Sequence, residues 1–92
     1  MLFRSPVARI KDLPLQMQVY PNPSNSAFHV QLAGSANEKI LLRVVNMQGR
    51  SMQVLEGMPN QNILVGKDLP AGTYRLEARQ GGKMSSTGLI KL

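Results

Sequence analysis

Apolar and polar residues alternate along most of this chain from Leu15 onward, which is the spacing of a strand with one buried face. The clearest run is 74–79, where three apolar residues alternate with three charged ones. Stretches rich in proline, glycine and asparagine separate seven such runs, roughly 8–12 residues apart. The runs begin near Leu15, Phe28, Ile40, Met52, Ile63, Tyr74 and Lys83. The pattern therefore predicts an all-β fold, an Ig-like antiparallel β-sandwich of about seven short strands.

The third run differs from the others because it is apolar on both faces. Ile40, Leu42 and Val44 form its inward face, while Leu41 and Val45 make the other face partly apolar. A strand of this kind is central in its sheet or covered by another layer.

The breaks between runs carry specific turn residues. Pro21 and Pro23 end the first strand, because proline cannot donate a hydrogen bond to the sheet. Gly49 suits a turn that needs a positive φ and is followed by a bulge. Pro70 presets φ at the start of the turn before the sixth strand, and Gly72 supplies freedom at its end. A tight hairpin is expected at 81–82, where two glycines adjoin.

Two interpretations fit the Tyr20-Pro21-Asn22-Pro23 segment. It is either a recognition element or a rigid corner in which Asn22 hydrogen-bonds to backbone, and the two fixed φ angles favour the corner. Tyr74 is expected to bury its ring and find one partner for its hydroxyl. Both tyrosines are thus expected to be used by the fold.

Size and composition limit what the chain can be. Its 92 residues suit one domain, which the alternation places at 15–92, preceded by a linker over 1–14 that contains two prolines. There is no cysteine, so a disulfide framework or a thiolate metal site is excluded. The net charge is +6, but the basic residues are spread singly and only four aromatics are present. Nucleic-acid binding is therefore not expected.

The residues that carry enzyme chemistry are isolated from one another. His29 is the single histidine, and its place in the alternation points it toward solvent. The serines and threonine at 85–87 have no neighbouring base, and the five acidic residues are scattered. We predict no catalytic residue, no metal site and no cofactor.

Four segments together resemble the C-terminal sorting domain of the type IX secretion system. They are Tyr20-Pro21-Asn22-Pro23, the turn Asn46 to Arg50, Leu69-Pro70-Ala71-Gly72-Thr73-Tyr74 and the terminal Leu89-Ile90-Lys91-Leu92. The resemblance covers about 15–92. Two positions depart from it: the family often has lysine where Gly88 stands, and aspartate where Asn46 stands. Asparagine can make the same local backbone hydrogen bond.

The resemblance implies a non-enzymatic signal at the end of an exported protein. Its partners would be an upstream cargo domain, an outer-membrane translocon and a surface sortase that cuts within or before 1–14 and joins the cargo to anionic lipopolysaccharide. The path would run through the periplasm to the outer membrane, the cell surface or the extracellular space. The sequence shows no secretory leader, so we expect one on a longer parent chain.

The last strand is the predicted recognition element. A receptor could pair with its backbone or hold the terminal carboxylate. The residues assigned to contact with the translocon or sortase are Lys83, Leu89, Ile90, Lys91 and Leu92. The alternative is an ordinary closing strand that packs Ile90 or Leu92 inward.

One other class of function stays open from the sequence. An Ig-like module could bind carbohydrate or a cell-surface partner, although exposed aromatics for stacking on sugars are scarce. The chain is expected to be a monomer or a weak dimer through an unpaired edge strand.

Overall fold

The computed structural model describes residues 13–35 and 37–92, which form seven antiparallel strands in two packed sheets. The strands are β1 (Gln16–Tyr20), β2 (Phe28–Ala33), β3 (Ile40–Asn46), β4 (Ser51–Gly57), β5 (Asn62–Val65), β6 (Gly72–Gln80) and β7 (Lys83–Lys91). Each lies where the alternation predicts it, so the predicted β-sandwich is confirmed. Apart from Leu13 and Pro14, the predicted 1–14 linker lies outside the described residues.

The strand order explains the double-faced pattern of β3. One sheet has the order β1-β2-β5 and the other β4-β3-β6-β7. β3 is therefore central, as its two apolar faces predict, with β4 and β6 on either side. The chain crosses between the two sheets three times, from β2 to β3, from β4 to β5 and from β5 to β6, and such crossings are typical of an Ig-like sandwich.

The core lies between the two sheets and is almost wholly aliphatic. Phe28 is the one fully buried aromatic side chain among the described residues. Burying each large side chain of this kind contributes about 1.5–3 kcal/mol. The other fully buried large apolar side chains are Val30, Leu32, Ile40, Leu42, Val44, Val65, Leu76 and Leu89.

Tyr74 fastens the start of β6 to the turn that precedes it. Its ring is buried, and its hydroxyl donates to the carbonyl of Pro70 at 2.7 Å. A tyrosine bonding back to the chain a few residues upstream is a hallmark of Ig-like corners. The prediction of a buried ring with one hydroxyl partner is confirmed.

The turn between β3 and β4 also forms as predicted. Asn46 Oδ1 accepts hydrogen bonds from two backbone N–H groups of the turn, at 3.0 and 2.9 Å. Gly49 has φ +83°, which favours glycine. The register then shifts between Val44 and Val45, so the expected bulge is present.

Candidate recognition site at the C-terminal strand

β7 alternates its side chains between the core and the outer face of the four-stranded sheet. It pairs with β6 along its whole length, so its alternation has no break. Leu89 and Lys91 are buried, whereas Ile90 is 47% exposed and Leu92 is 68% exposed. The five predicted recognition residues therefore do not form one surface. The expected inward packing of Ile90 or Leu92 is wrong, because Leu89 takes that position; in the alternative of an ordinary closing strand, Leu89 is the residue that packs inward.

The Pro21–Ser24 loop lies against the outer edge of β7. Asn22 Nδ2 donates to the carbonyl of Gly88 at 2.8 Å, and the N–H of Ile90 donates to Asn22 Oδ1 at 3.0 Å. The interpretation of this segment as a corner in which Asn22 bonds backbone is confirmed. The backbone concerned lies 66 and 68 residues away in the sequence.

Ser24 continues the same contact with its own backbone. Its N–H donates to the carbonyl of Ile90 at 3.0 Å, and its carbonyl accepts from the N–H of Leu92 at 2.9 Å. The outward-facing backbone groups of β7 between Gly88 and Leu92 are thus bonded within the domain. At this end of the folded strand, a second sheet has no free edge to pair with.

Both lysines of the predicted set hold loops with their ammonium groups. Lys91 is buried, and its Nζ donates to the carbonyls of Gly66 and Lys67 at 2.6 and 3.0 Å. Lys83 Nζ donates to the carbonyl of Leu13 and to Ser35 Oγ. Their positive charges are used inside the domain, which leaves Ile90 and Leu92 as the accessible side chains of the set.

Tyr20, unlike Tyr74, lies at the surface. Its ring is exposed and stacks on His29, with ring centroids 5.4 Å apart, and its hydroxyl accepts from Asn62 Nδ2 at 2.8 Å. The expectation that the fold uses both tyrosines therefore holds fully for Tyr74 alone. His29 points to solvent, as predicted.

Gln80 is a structural residue that the sequence reading did not single out. It is fully buried and makes three hydrogen bonds to the loop after β2: it accepts from the N–H of Ser35 and donates to the carbonyls of Ser35 and Glu38. The sequence does indicate that Gln80 faces inward, because it follows Leu76 and Ala78 at the same two-residue spacing. A polar residue at an inward position must satisfy its amide within the fold.

Two further observations concern the part of the chain that the structure describes. No group of three or more His, Cys, Asp or Glu side chains there could hold a metal ion. No helix there is long and apolar enough to span a bilayer.

The comparisons with known proteins bear on the whole module. Residues 18–91 match the family model described as "Secretion system C-terminal sorting domain". A search of curated proteins finds no match. The matched range runs from within β1 to the last residue of β7, and so includes both the Pro21–Ser24 loop and the strand that it holds.

Proposed function

The chain belongs to the family of secretion system C-terminal sorting domains, and on that premise we propose that the export machinery binds the exposed apolar side chains at the end of β7. Membership makes the domain a non-catalytic type IX secretion signal for cargo export, with a secreted or outer-membrane-surface destination. The proposal concerns which residues carry the signal and which proteins receive it.

The observation that carries the proposal is the outward position of Ile90 and Leu92. Both are large and apolar, yet they project from a strand whose other side chains at this end are buried. Because the Pro21–Ser24 loop bonds the backbone there, the backbone that carries these side chains is held in place, and neither side chain belongs to the core. Preorganised apolar groups cost a receptor less to bind than mobile ones do.

We assign the receiving partner to the outer-membrane translocon and the later cut to a surface sortase. Cargo in the periplasm would be brought to the translocon by its sorting domain and cut from it after crossing. We place the cut on the N-terminal side of Leu13, because the carbonyl of Leu13 already accepts a hydrogen bond from Lys83 in the folded domain. Cleavage upstream of that contact leaves the sandwich intact.

The test is a reporter protein exported to the periplasm and fused ahead of the chain, in a host with type IX machinery. The double substitution Ile90→Ser and Leu92→Ser removes both apolar groups. We expect surface delivery to be lost while the melting temperature of the purified domain is unchanged. The matched control is Met47→Ser, which removes an exposed apolar side chain from the turn after β3.

The outcomes are distinct. Loss of delivery in the double variant with normal delivery of the Met47 control supports the proposal. Undiminished surface display of the double variant would contradict it. Retention of folded reporter in the periplasm, measured by reporter activity, separates a lost signal from a misfolded cargo.

A further inference from the structure

A second accessible surface lies on the outer face of the four-stranded sheet, the same face on which Ile90 lies, toward the other end of β7. Three apolar side chains are exposed there: Leu41 by 45%, Val54 by 58% and Met84 by 61%. We call these three residues the outer patch. They line one shallow concavity together with Arg43, Glu77 and Arg79.

The strand register makes the outer patch continuous. Arg79 on β6 pairs with Leu41 on one side and with Met84 on the other, so these three residues form one row across the sheet. The next row contains Val54, Arg43 and Glu77. Side chains directly opposite on neighbouring strands lie close enough to touch, so the two rows form a single surface.

The charges on this face are unbalanced. Glu77 Oε1 accepts from both Arg43 Nε and Arg43 Nη2, at 3.2 and 2.9 Å, so its charge is already paired. The Arg75 guanidinium makes no hydrogen bond or ion pair with any described residue, and the one hydrogen bond of the Arg79 guanidinium within the described residues goes to the sulfur of Met84, at 3.7 Å. Neither guanidinium therefore has a carboxylate partner among the described residues.

The spacing of these groups sets the pattern that a partner must match. Arg75 and Arg79 are four residues apart on one strand, so their Cα atoms are separated by about 13 Å. Arg75 lies opposite Gly88, where an added Cβ would meet no atom within 4 Å. The space beside Arg75 is thus open to a group from outside.

We propose that the outer patch, with Arg75 and Arg79, docks a partner protein whose surface presents two carboxylates about 13 Å apart, one of them set between apolar groups that meet Leu41 and Met84. Arginine forms paired hydrogen bonds to carboxylates, and arginine and methionine are enriched at protein interfaces. A second copy of this chain is disfavoured, because face-to-face pairing would bring the same unpaired guanidinium groups together. This surface goes beyond the proposed tail signal, because it includes neither Ile90 nor Leu92; Ile90, paired with Thr73, lies in the row next to Arg75.

The test uses the full chain behind the same exported reporter, with a photo-reactive phenylalanine analogue at position 84. The variant Arg75→Glu with Arg79→Glu reverses the two free charges, and the milder Arg75→Gln with Arg79→Gln serves if the first is unstable. The matched control, Arg50→Glu with Lys67→Glu, makes the same charge change at exposed positions off this face.

We expect a light-dependent adduct from position 84 to a protein, mapped by mass spectrometry to a region with exposed Asp or Glu. Charge reversal should lower adduct yield and surface delivery by at least about tenfold, because like charges are then opposed. The control pair should change neither. Converting the mapped acidic residues of the partner to lysine should restore both in the reversed variant.

Several results would overturn the proposal. One is an adduct to lipid, to a second copy of the chain, or to a protein region without carboxylates. Another is that no adduct forms, whether or not the reporter is exported. The tail variant Ile90→Ser with Leu92→Ser should keep the position 84 adduct even when delivery is lost. The position 84 adduct therefore distinguishes loss of docking at the outer patch from loss of the proposed signal at Ile90 and Leu92.

Discussion

At the end of β7, the Asn22 side chain makes the kind of hydrogen bonds to the strand backbone that a neighbouring strand would make. Its amide provides one donor and one acceptor, and these match the carbonyl of Gly88 and the N–H of Ile90. Prolines on both sides of it fix φ in the loop backbone. The Asn22 side chain and the Ser24 backbone, both from the loop before β2, therefore hold the end of β7 in place.

Replacing Asn22 by alanine removes both of these hydrogen bonds. We expect a loss of about 1–2 kcal/mol in the free energy of unfolding, measured by urea denaturation. The amide of Ile90 should also exchange its hydrogen faster in NMR. Asn25→Ala, in the same exposed loop but without a side-chain hydrogen bond, should change neither; equal effects of the two variants would contradict the role given to Asn22.

Lys91 shows how a basic residue near the end of a strand can be structural. Its ammonium donates to two loop carbonyls, and its hydrocarbon stem lies inside the sandwich. We expect Lys91→Met to lower stability by about 2–3 kcal/mol, because charge-assisted bonds are lost and the carbonyls stay buried. Lys67→Met, at an exposed position, is the control. An unchanged denaturation midpoint for Lys91→Met would refute this assignment.

At the scale of the element, alternate residues of β7 have different roles. Leu89 is buried and stabilises the core, whereas Ile90 faces outward and is available to a partner. Leu89→Ala should cost about 2–5 kcal/mol, since it empties a fully buried site. Ile90→Ala should stay within about 0.5 kcal/mol, since the side chain lies outside the core. Thermal denaturation of the two purified variants measures the difference. Similar melting temperatures would mean that the strand is not held in the register described.

The strands could be predicted from the sequence because their alternation is local. β6 shows its buried face directly in Tyr74, Leu76 and Ala78, and the turn at Gly49 is specified by neighbouring residues. The contact of Asn22 with β7 could not be predicted, because nothing local indicates which residues pair across so long a separation. The double-sided pattern of β3 did predict its central place.

The candidate site was predicted only in part, for a related reason. The sequence predicts that these residues belong to a strand. It does not show which of their side chains face outward, because residues 85–88 include no large apolar side chain that would mark the buried face. Lys91 was counted as accessible because lysine usually is. Its burial depends on two carbonyls of the β5–β6 loop, whose position follows from the packing of the sheets.

At the scale of the whole molecule, the sheet edges decide whether copies associate. The Pro21–Ser24 loop covers the C-terminal half of β7, whereas β4 forms the other edge of the same sheet over seven residues. A monomer or a weak edge-strand dimer is still the prediction, and β4 is the edge that we expect to pair. Sedimentation velocity from micromolar to millimolar concentration should show a monomer that self-associates only at the upper end.

Met52→Lys places a charge on that edge and should abolish the association. Lysine in place of Met47, outside the strand, should not. Unchanged dimerisation of the Met52 variant would move the contact to another edge.

The bond between Asn22 and β7 also has a consequence for synthesis. The ribosome adds β7 after the other six strands, so a chain that stops short of Gly88 has neither the partners of Asn22 nor the Leu89 side chain that completes the core. Such a chain leaves apolar surface uncovered and cannot present a finished module. A cargo carrying the folded domain therefore shows that translation continued through β7.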